Sequence, residues 1–348
     1  VSGLPDNRPN SRITARAQIY VSRRHIMSGA AAALGLSIAH PALSQQVTTP
    51  SQDIPPEDHD AATLAARTDD ADHLSIEVMI NDQGPYHFVV DTGAESSVVA
   101  DNVAQALGLA PVASVLVDGF SRRIPARTVQ VDSLAFGPFR HKNLTLPILP
   151  RQYLLADGYL GLDAISDSRV TFDFAGRTLK IEQPRDPNRR HPPPGTSTRL
   201  WASGSSGRLR VSDCLVDGVR ATAFIDTGAQ ISVGNRALKA ALALHGGLQN
   251  LGPLILKGVT GGEILSEVIP VSLIKLEDLS FTDSRLAIAD VPSFDAWNVR
   301  NRPGLLIGMN FLRQFAAVTI DYRQKSIRFE LSEAPPLPTP GVRITSHA

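Results

Sequence analysis

The chain has one cysteine, Cys214, in 348 residues, so an intrachain disulfide framework is excluded. It has no surplus of either charge: Lys+Arg and Asp+Glu both number 34. That balance removes a global electrostatic case for nucleic acid or an anionic membrane as partner. Aromatic residues are only 5% of the chain, too few to suggest an aromatic-lined sugar cleft. No His/Cys group shows metal-ligand spacing, so neither metal nor cofactor is expected. The Gly-rich stretch Gly258-Val259-Thr260-Gly261-Gly262 lacks the Lys-Ser/Thr of a phosphate loop and reads as a turn. The longest apolar stretch near the start, Ile26 to Ala39, is shorter than the roughly 20 residues a spanning helix needs.

That stretch has another reading. Ser22-Arg23-Arg24-His25-Ile26-Met27 sets a twin arginine before it, and Ala42-Leu43-Ser44 follows as a small-residue cleavage site. The order resembles a bacterial twin-arginine export signal. The expectation is a signal over 1–44 and a periplasmic or secreted protein with no stable membrane insertion after signal removal. A flexible polar arm is expected over 45–72, because Pro, Asp and Thr dominate without apolar periodicity.

The rest is organised by a repeat. Asp91-Thr92-Gly93-Ala94 recurs 135 residues later as Asp226-Thr227-Gly228-Ala229. Each copy follows a strand, a Gly-containing turn and a second strand: Ser75–Ile80 then Tyr86–Val90, and Leu209–Val216 then Val219–Ile225. Each is followed by a short apolar strand and a short helix, with Asp101 and Asn235 as expected N-caps. Each half later shows an apolar-apolar-Gly element, Tyr159-Leu160-Gly161 and Leu306-Ile307-Gly308, and ends on a hairpin-like pair. The β-branched and aromatic patterning makes the body all-β. The division expected is a first lobe over 73–182, a Pro/Arg/Ser/Gly linker over 183–207, a second lobe over 208–332 and a tail over 333–348.

Two carboxylates in contact cannot both ionise, and sharing one proton lets them supply a base and an acid together. Asp91 and Asp226 are therefore the candidate catalytic pair. Gly93 and Gly228 permit close approach of the two loops. Thr92 and Thr227 offer hydroxyls that can bond the backbone across the junction. A single Asp-Thr-Gly is weak evidence, since Asp and Gly favour turns; two copies in matching strand contexts are strong.

On these residues, with Gly158-Tyr159-Leu160-Gly161-Leu162-Asp163 and Leu305-Leu306-Ile307-Gly308-Met309-Asn310-Phe311-Leu312, the chain resembles the bacterial retropepsin-like aspartyl proteases of the pepsin-type clan. The resemblance spans roughly 75–331. It implies two β-barrel lobes with the active-site cleft between them, and loop support from Thr92, Gly93, Ala94, Thr227, Gly228 and Ala229. It also implies a hairpin flap, with candidates Gly119 and Phe120 in the first half and Gly261 and Gly262 in the second. The implied activity is aspartic endopeptidase on protein or peptide substrates, in a monomer. Alternatives are an inactive peptide-binding protein on the same fold and a glycosidase using paired carboxylates. The single cysteine, and Ala94 and Ala229 after the catalytic-loop glycines, differ from the secreted pepsins.

Overall fold

The computed structural model describes residues 18–21 (backbone only), 61–69, 73–183, 197–204 and 209–331. The expected signal core and its Arg23-Arg24 pair lie outside these residues. Two lobes of the same design carry the chain. In the first, strands Leu74–Ile80 and Gln83–Val90 form a hairpin, and Gly158–Leu160 runs parallel to the second of them. Val98–Ala100 lies antiparallel to Gly158–Leu160 and parallel to Phe139–Leu149, which pairs with Arg123–Phe136. Arg123–Phe136 returns to Leu74–Ile80 and closes a ring of six strands.

The second lobe repeats every step. Arg210–Val216 and Val219–Ile225 make the hairpin, Gly304–Ile307 runs parallel to it, and Val233–Gly234 follows antiparallel. Leu279–Ile288 and Glu263–Leu276 complete the ring by pairing back to Arg210–Val216. In each lobe the long closing strand has an extra partner, Pro111–Asp118 or Pro253–Lys257, so each lobe projects one hairpin. The rings enclose residues such as Ile76, Phe88, Val131 and Leu146 in one lobe and Val211, Ala223, Phe281 and Leu286 in the other, all essentially inaccessible. Alternating inward apolar residues on closed sheets produce this burial.

The terminal hairpins of the two halves do not close their own lobes. Arg169–Asp173 pairs directly with Ala317–Asp321, and the two hairpins merge into one six-stranded sheet bridging the lobes. Arg169 and Asp321 form an ion pair there at 2.8 Å, with both side chains over nine-tenths buried. Removing one member of such a pair strands the other charge.

Three sequence expectations need correction. Ala61–Ala65, inside the expected arm, is a strand against Thr178–Glu182. Ser197–Trp201, inside the expected linker, is a strand against Ser326–Glu330. These two occupy the outer edges of the bridging sheet, where main-chain groups need partners whatever the side-chain pattern. Apart from these, the backbone of Gln18–Val21, in the lead before Arg23-Arg24, pairs with Leu279–Ile288. Third, Asp101 does not cap its helix. It is the first helical residue of Asp101–Ala106, the N-cap is Ala100, and the Asp101 carboxylate accepts from the Asn102 and Arg151 amides. Asn235 does cap Arg236–Ala243, accepting from the Leu238 amide at 2.8 Å. Its side-chain amide donates to the Val299 and Arg302 carbonyls, which ties the helix start to the loop before Gly304–Ile307.

Candidate active site

Strands Gln83–Val90 and Val219–Ile225 each end directly on an Asp-Thr-Gly loop. Beside each loop the parallel strand pins the aspartate: the Asp91 amide donates to the Leu160 carbonyl and the Asp226 amide to the Ile307 carbonyl, both at 3.0 Å. Below each loop sits the glycine of the apolar-apolar-Gly element. A Cβ on Gly161 would lie 2.6 Å from the Ser96 carbonyl carbon, and one on Gly308 would lie 2.6 Å from the Ala229 carbonyl oxygen. Only glycine admits backbone at that distance.

The two loops grip each other through their threonines. The Thr92 hydroxyl donates to the Ile225 carbonyl at 3.0 Å and accepts from the Thr227 amide at 3.1 Å. The Thr227 hydroxyl donates to the Val90 carbonyl at 2.7 Å and accepts from the Thr92 amide at 3.1 Å. Both threonines are buried, so these bonds satisfy polar groups that water does not reach, and the two hydroxyls also lie 3.5 Å apart.

The grip brings the carboxylates together. A Cβ on Gly93 would fall 2.6 Å from the Asp226 carboxyl carbon, and one on Gly228 would fall 2.3 Å from that of Asp91. Each acid thus lies over the opposite glycine, Asp226 buried and Asp91 half-buried. Burial holds both above the usual carboxylate range, and the neighbouring Asp91 charge pushes Asp226 higher, well above it. Asp91 Oδ1 accepts from the Gly93 and Ala94 amides at 2.8 and 3.1 Å, which favours its charged form. Both carboxyls thus hold their protons more strongly than a free one, Asp226 the more so.

A second repeated pair supports the loops, and the sequence reading did not single out its serines. Ser97 donates through its hydroxyl to Asp163 at 2.7 Å and accepts from the Gly161 amide at 3.0 Å. Ser232 does the same with Asn310 at 2.7 Å and the Gly308 amide at 2.9 Å. The signal was available: a serine stands six residues after each aspartate.

The projecting hairpins meet tip to tip. The first tip is Gly119-Phe120-Ser121-Arg122 and the second is the Gly258–Gly262 turn. Thr260, fully buried, donates to the Arg122 carbonyl at 2.9 Å, and Arg122 Nε donates to the Thr260 carbonyl at 3.1 Å. The Ser121 hydroxyl donates to the Gly261 carbonyl. Phe120 packs against Gly258, and Tyr153 lies against Gly261. The structure therefore brings together Gly119, Phe120, Gly261 and Gly262, four residues the sequence could only nominate separately. Arg122, Tyr153 and Thr260 join them without having been anticipated, because their contacts arise only when the lobes face each other.

The tip interlock yields a testable consequence. A side chain at Gly119 has no room, since its Cβ would stand 2.0 Å from the Thr260 hydroxyl oxygen. Gly119→Val should therefore keep the hairpins apart and lower kcat/KM on a cleavable peptide by about tenfold or more, as expected when closure over a site fails. Adding Thr260→Gly to the same chain should restore much of the loss. Steady-state kinetics on both variants checks this; an unimpaired Gly119→Val enzyme would show that the interlock plays no part in turnover.

Among the described residues neither the cysteine nor a metal-ligating cluster offers a rival centre. Cys214 is buried and its thiol is pushed up to about 12, by burial first and then by Asp213. No group of three or more His, Cys, Asp or Glu among the described residues is placed to hold a metal ion.

Two facing β lobes with one gripped Asp-Thr-Gly loop each, and their acids in contact, define a paired-carboxylate cleft on a duplicated fold. The chain belongs to the aspartyl protease family, whose model matches it twice, over residues 76–164 and 212–311, together just over half its length. The two matches fall one on each lobe, as a retropepsin-like member with two repeated halves requires. No curated protein matches the chain significantly.

Proposed function

We propose that the chain is an aspartic endopeptidase that cleaves protein or peptide substrates with a water activated between Asp91 and Asp226. The observation that carries this reading is the pair of carboxyls lying over each other's glycine, both raised first by loss of solvent. In the reaction, Asp91 takes a proton from water as the oxygen adds to the scissile carbonyl carbon. Asp226 gives its proton to the carbonyl oxygen, so a neutral tetrahedral diol forms. Collapse moves a diol proton back to one carboxyl while the other protonates the departing nitrogen, which restores the starting pair. Proton sharing of this kind is the established behaviour of aspartic-protease dyads. The closed hairpins would hold an extended peptide against the pair and exclude bulk water.

The pH dependence follows from the single shared proton. Below the first dyad transition both carboxyls are neutral and no base remains; above the second both are charged and no acid remains. Activity should trace a bell on pH. The raised Asp226 carboxyl should carry the upper limb beyond the ordinary carboxylate value of about 4. Rate measurements across pH with and without EDTA test this. A profile flat through the acid range, or EDTA inhibition reversed by zinc, would refute the mechanism.

We further propose that the protein is exported through a twin-arginine signal and acts as a monomer in the periplasm or outside the cell. The support is the sequence order around Arg23-Arg24 and the site being complete within one chain. Replacing both arginines with lysine should leave precursor in the cytoplasm, scored by fractionation. Normal export of that variant would sink the assignment.

A further inference from the structure

The bridging sheet carries a polar cluster that the catalytic site does not use. Register places two rows of side chains next to each other there. In one row Arg199 faces Arg328, Arg328 faces Thr319, and Thr319 faces Thr171. In the next, Trp201 faces Ser326, Ser326 faces Asp321, and Asp321 faces Arg169. Direct cross-strand partners, and residues two apart on one strand, share a face of the sheet. The rows line one pocket, with Arg169, Arg199 and Arg328 as its cations and Thr319 and Ser326 as its hydroxyls. The residues in between, Leu200, Ile327, Ile320 and Val170, point the other way into the core.

The charges in this pocket do not balance. Its one lining carboxylate, Asp321, is already used. Asp321 Oδ2 accepts from Arg169 Nε and meets its terminal nitrogen, both at 2.8 Å, and Oδ1 accepts from the Gln324 amide at 2.8 Å. Glu182, across from Arg169, is held by Lys180 at 2.9 Å. Arg199 has no carboxylate partner among the described residues; its contact is the Trp201 ring, whose centre lies 5.9 Å from the guanidinium carbon. Arg328 donates to the Thr319 hydroxyl at 3.3 Å, but its Nε is buried without a hydrogen bond among the described residues. Glu330 stands 3.1 Å from that Nε, out of line with its N–H, and offsets part of the charge.

Like charges directly opposite on paired strands repel, with Cβ atoms only about 4.5–5.5 Å apart. A buried donor without an acceptor adds to that cost. A face serving structure alone would set each arginine against an acid, as Arg169 and Asp321 are set. An anion between the Arg199 and Arg328 guanidinium groups removes both costs. The guanidinium fork matches the oxygens of carboxylate and phosphate. Hydroxyls on a further side favour a tetrahedral anion over a planar one. We propose that this pocket binds a phosphate-type oxyanion, inorganic phosphate or a phosphate monoester, through Arg199 and Arg328 with Thr319 and Ser326 beside them. Arg169 belongs to the first half, Arg328 to the second, and Arg199 to the strand between them in sequence. The bound anion therefore ties all three together where the lobes join. Neither catalytic aspartate lines the pocket, and the inference holds whether or not the chain cuts peptides.

The test is thermal unfolding of the full chain in sodium phosphate or glycerol 3-phosphate, each against sodium chloride of equal ionic strength. A ligand held only by the folded state raises the melting temperature along a saturating curve. At about a hundred times Kd the wild type should gain about 5–10 °C over chloride. General salting-out by phosphate does not saturate and acts on every variant alike. Arg199→Gln and Arg328→Gln should each lose most of the gain. Arg220→Gln, at an exposed cation of the second lobe paired with Asp213, should keep it. A gain with inorganic phosphate at least as large as with the ester marks the free ion as ligand; a larger gain with the ester marks a phosphorylated molecule. No saturating gain with either, or an equal gain in Arg199→Gln and wild type, overturns the proposal. If the Gln variants do not fold, Arg199→Lys replaces them, because it keeps the charge and loses the fork. That variant should need several-fold more phosphate for half the shift, and an unchanged midpoint would also overturn the proposal.

Discussion

Asp91→Asn and Asp226→Asn should each cut peptide cleavage by about 10²–10⁴-fold, the range lost when a positioned acid or base is removed. Neither change alters shape, so both variants should keep the wild-type circular dichroism spectrum. Mixing the two inactive proteins should restore nothing. The reason is geometric: the loops that would complement one another are already locked within one chain by the Thr92 and Thr227 bonds. Recovery of a large fraction of activity on mixing would mean that the site assembles between chains.

The same variants carry a stability prediction with a definite sign. Both carboxyls are raised in the folded protein, so between the ordinary carboxylate value and the raised ones the folded state binds more protons than the unfolded state. That contribution is fully present below pH of about 4 and is lost as pH rises through the raised values. At neutral pH the pair is therefore a cost to the fold. Asp226→Asn, which removes the more strongly raised acid, should melt at a higher temperature than wild type at pH 7, and the gap should close towards pH 3. Activity and stability would then move in opposite directions at one residue.

Thr92→Val combined with Thr227→Val should be the most damaging pair for the fold. Each change removes a hydroxyl that both donates and accepts, leaving a buried carbonyl and a buried amide without those partners. An unmet buried polar group costs about 1–3 kcal/mol, so each single variant, which strands two, should lose about 2–6 kcal/mol. The double variant should not be additive, because the two hydroxyls serve the same junction. Against a typical total of about 5–15 kcal/mol this is severe. Thr→Ser at either position should recover most of the loss, since the hydroxyl is what the junction uses. Urea unfolding monitored by Trp fluorescence measures it. Equal stability of the Val and wild-type proteins would show that the grip is idle.

What could be read in advance was whatever the site demands locally. An Asp-Thr-Gly loop needs its acid, hydroxyl and glycine in fixed order after an apolar strand. Two copies with the same surroundings announced the duplicated all-β body and the gripping threonines. The apolar-apolar-Gly elements were legible for the same reason, since Gly161 and Gly308 meet backbone that no other residue would admit. Non-local pairing was not legible. Ala61–Ala65 and Ser197–Trp201 pair at the edges of a sheet that neither half builds alone, and edge pairing draws on the backbone rather than on side-chain pattern. Asp101 and Asn235 illustrate the limit of the repeat itself. They stand one residue apart in their repeat positions, yet only Asn235 caps, and a one-residue difference at a helix start separates a cap from a first-turn acid.

The central claim is that the duplicated halves build one proton-sharing carboxyl pair that cuts peptide bonds. The most direct measurement is cleavage profiling of a mixed peptide library across pH, run on wild type and Asp226→Asn with and without a statine-containing peptide. The account predicts cuts at interior bonds, a bell-shaped pH dependence, block by the statine peptide and a silent Asp226→Asn protein. A statine peptide that binds wild type while no bond is cut at any pH would contradict it in favour of a peptide-binding protein on this fold, and cleavage that survives Asp226→Asn would contradict the carboxyl pair itself.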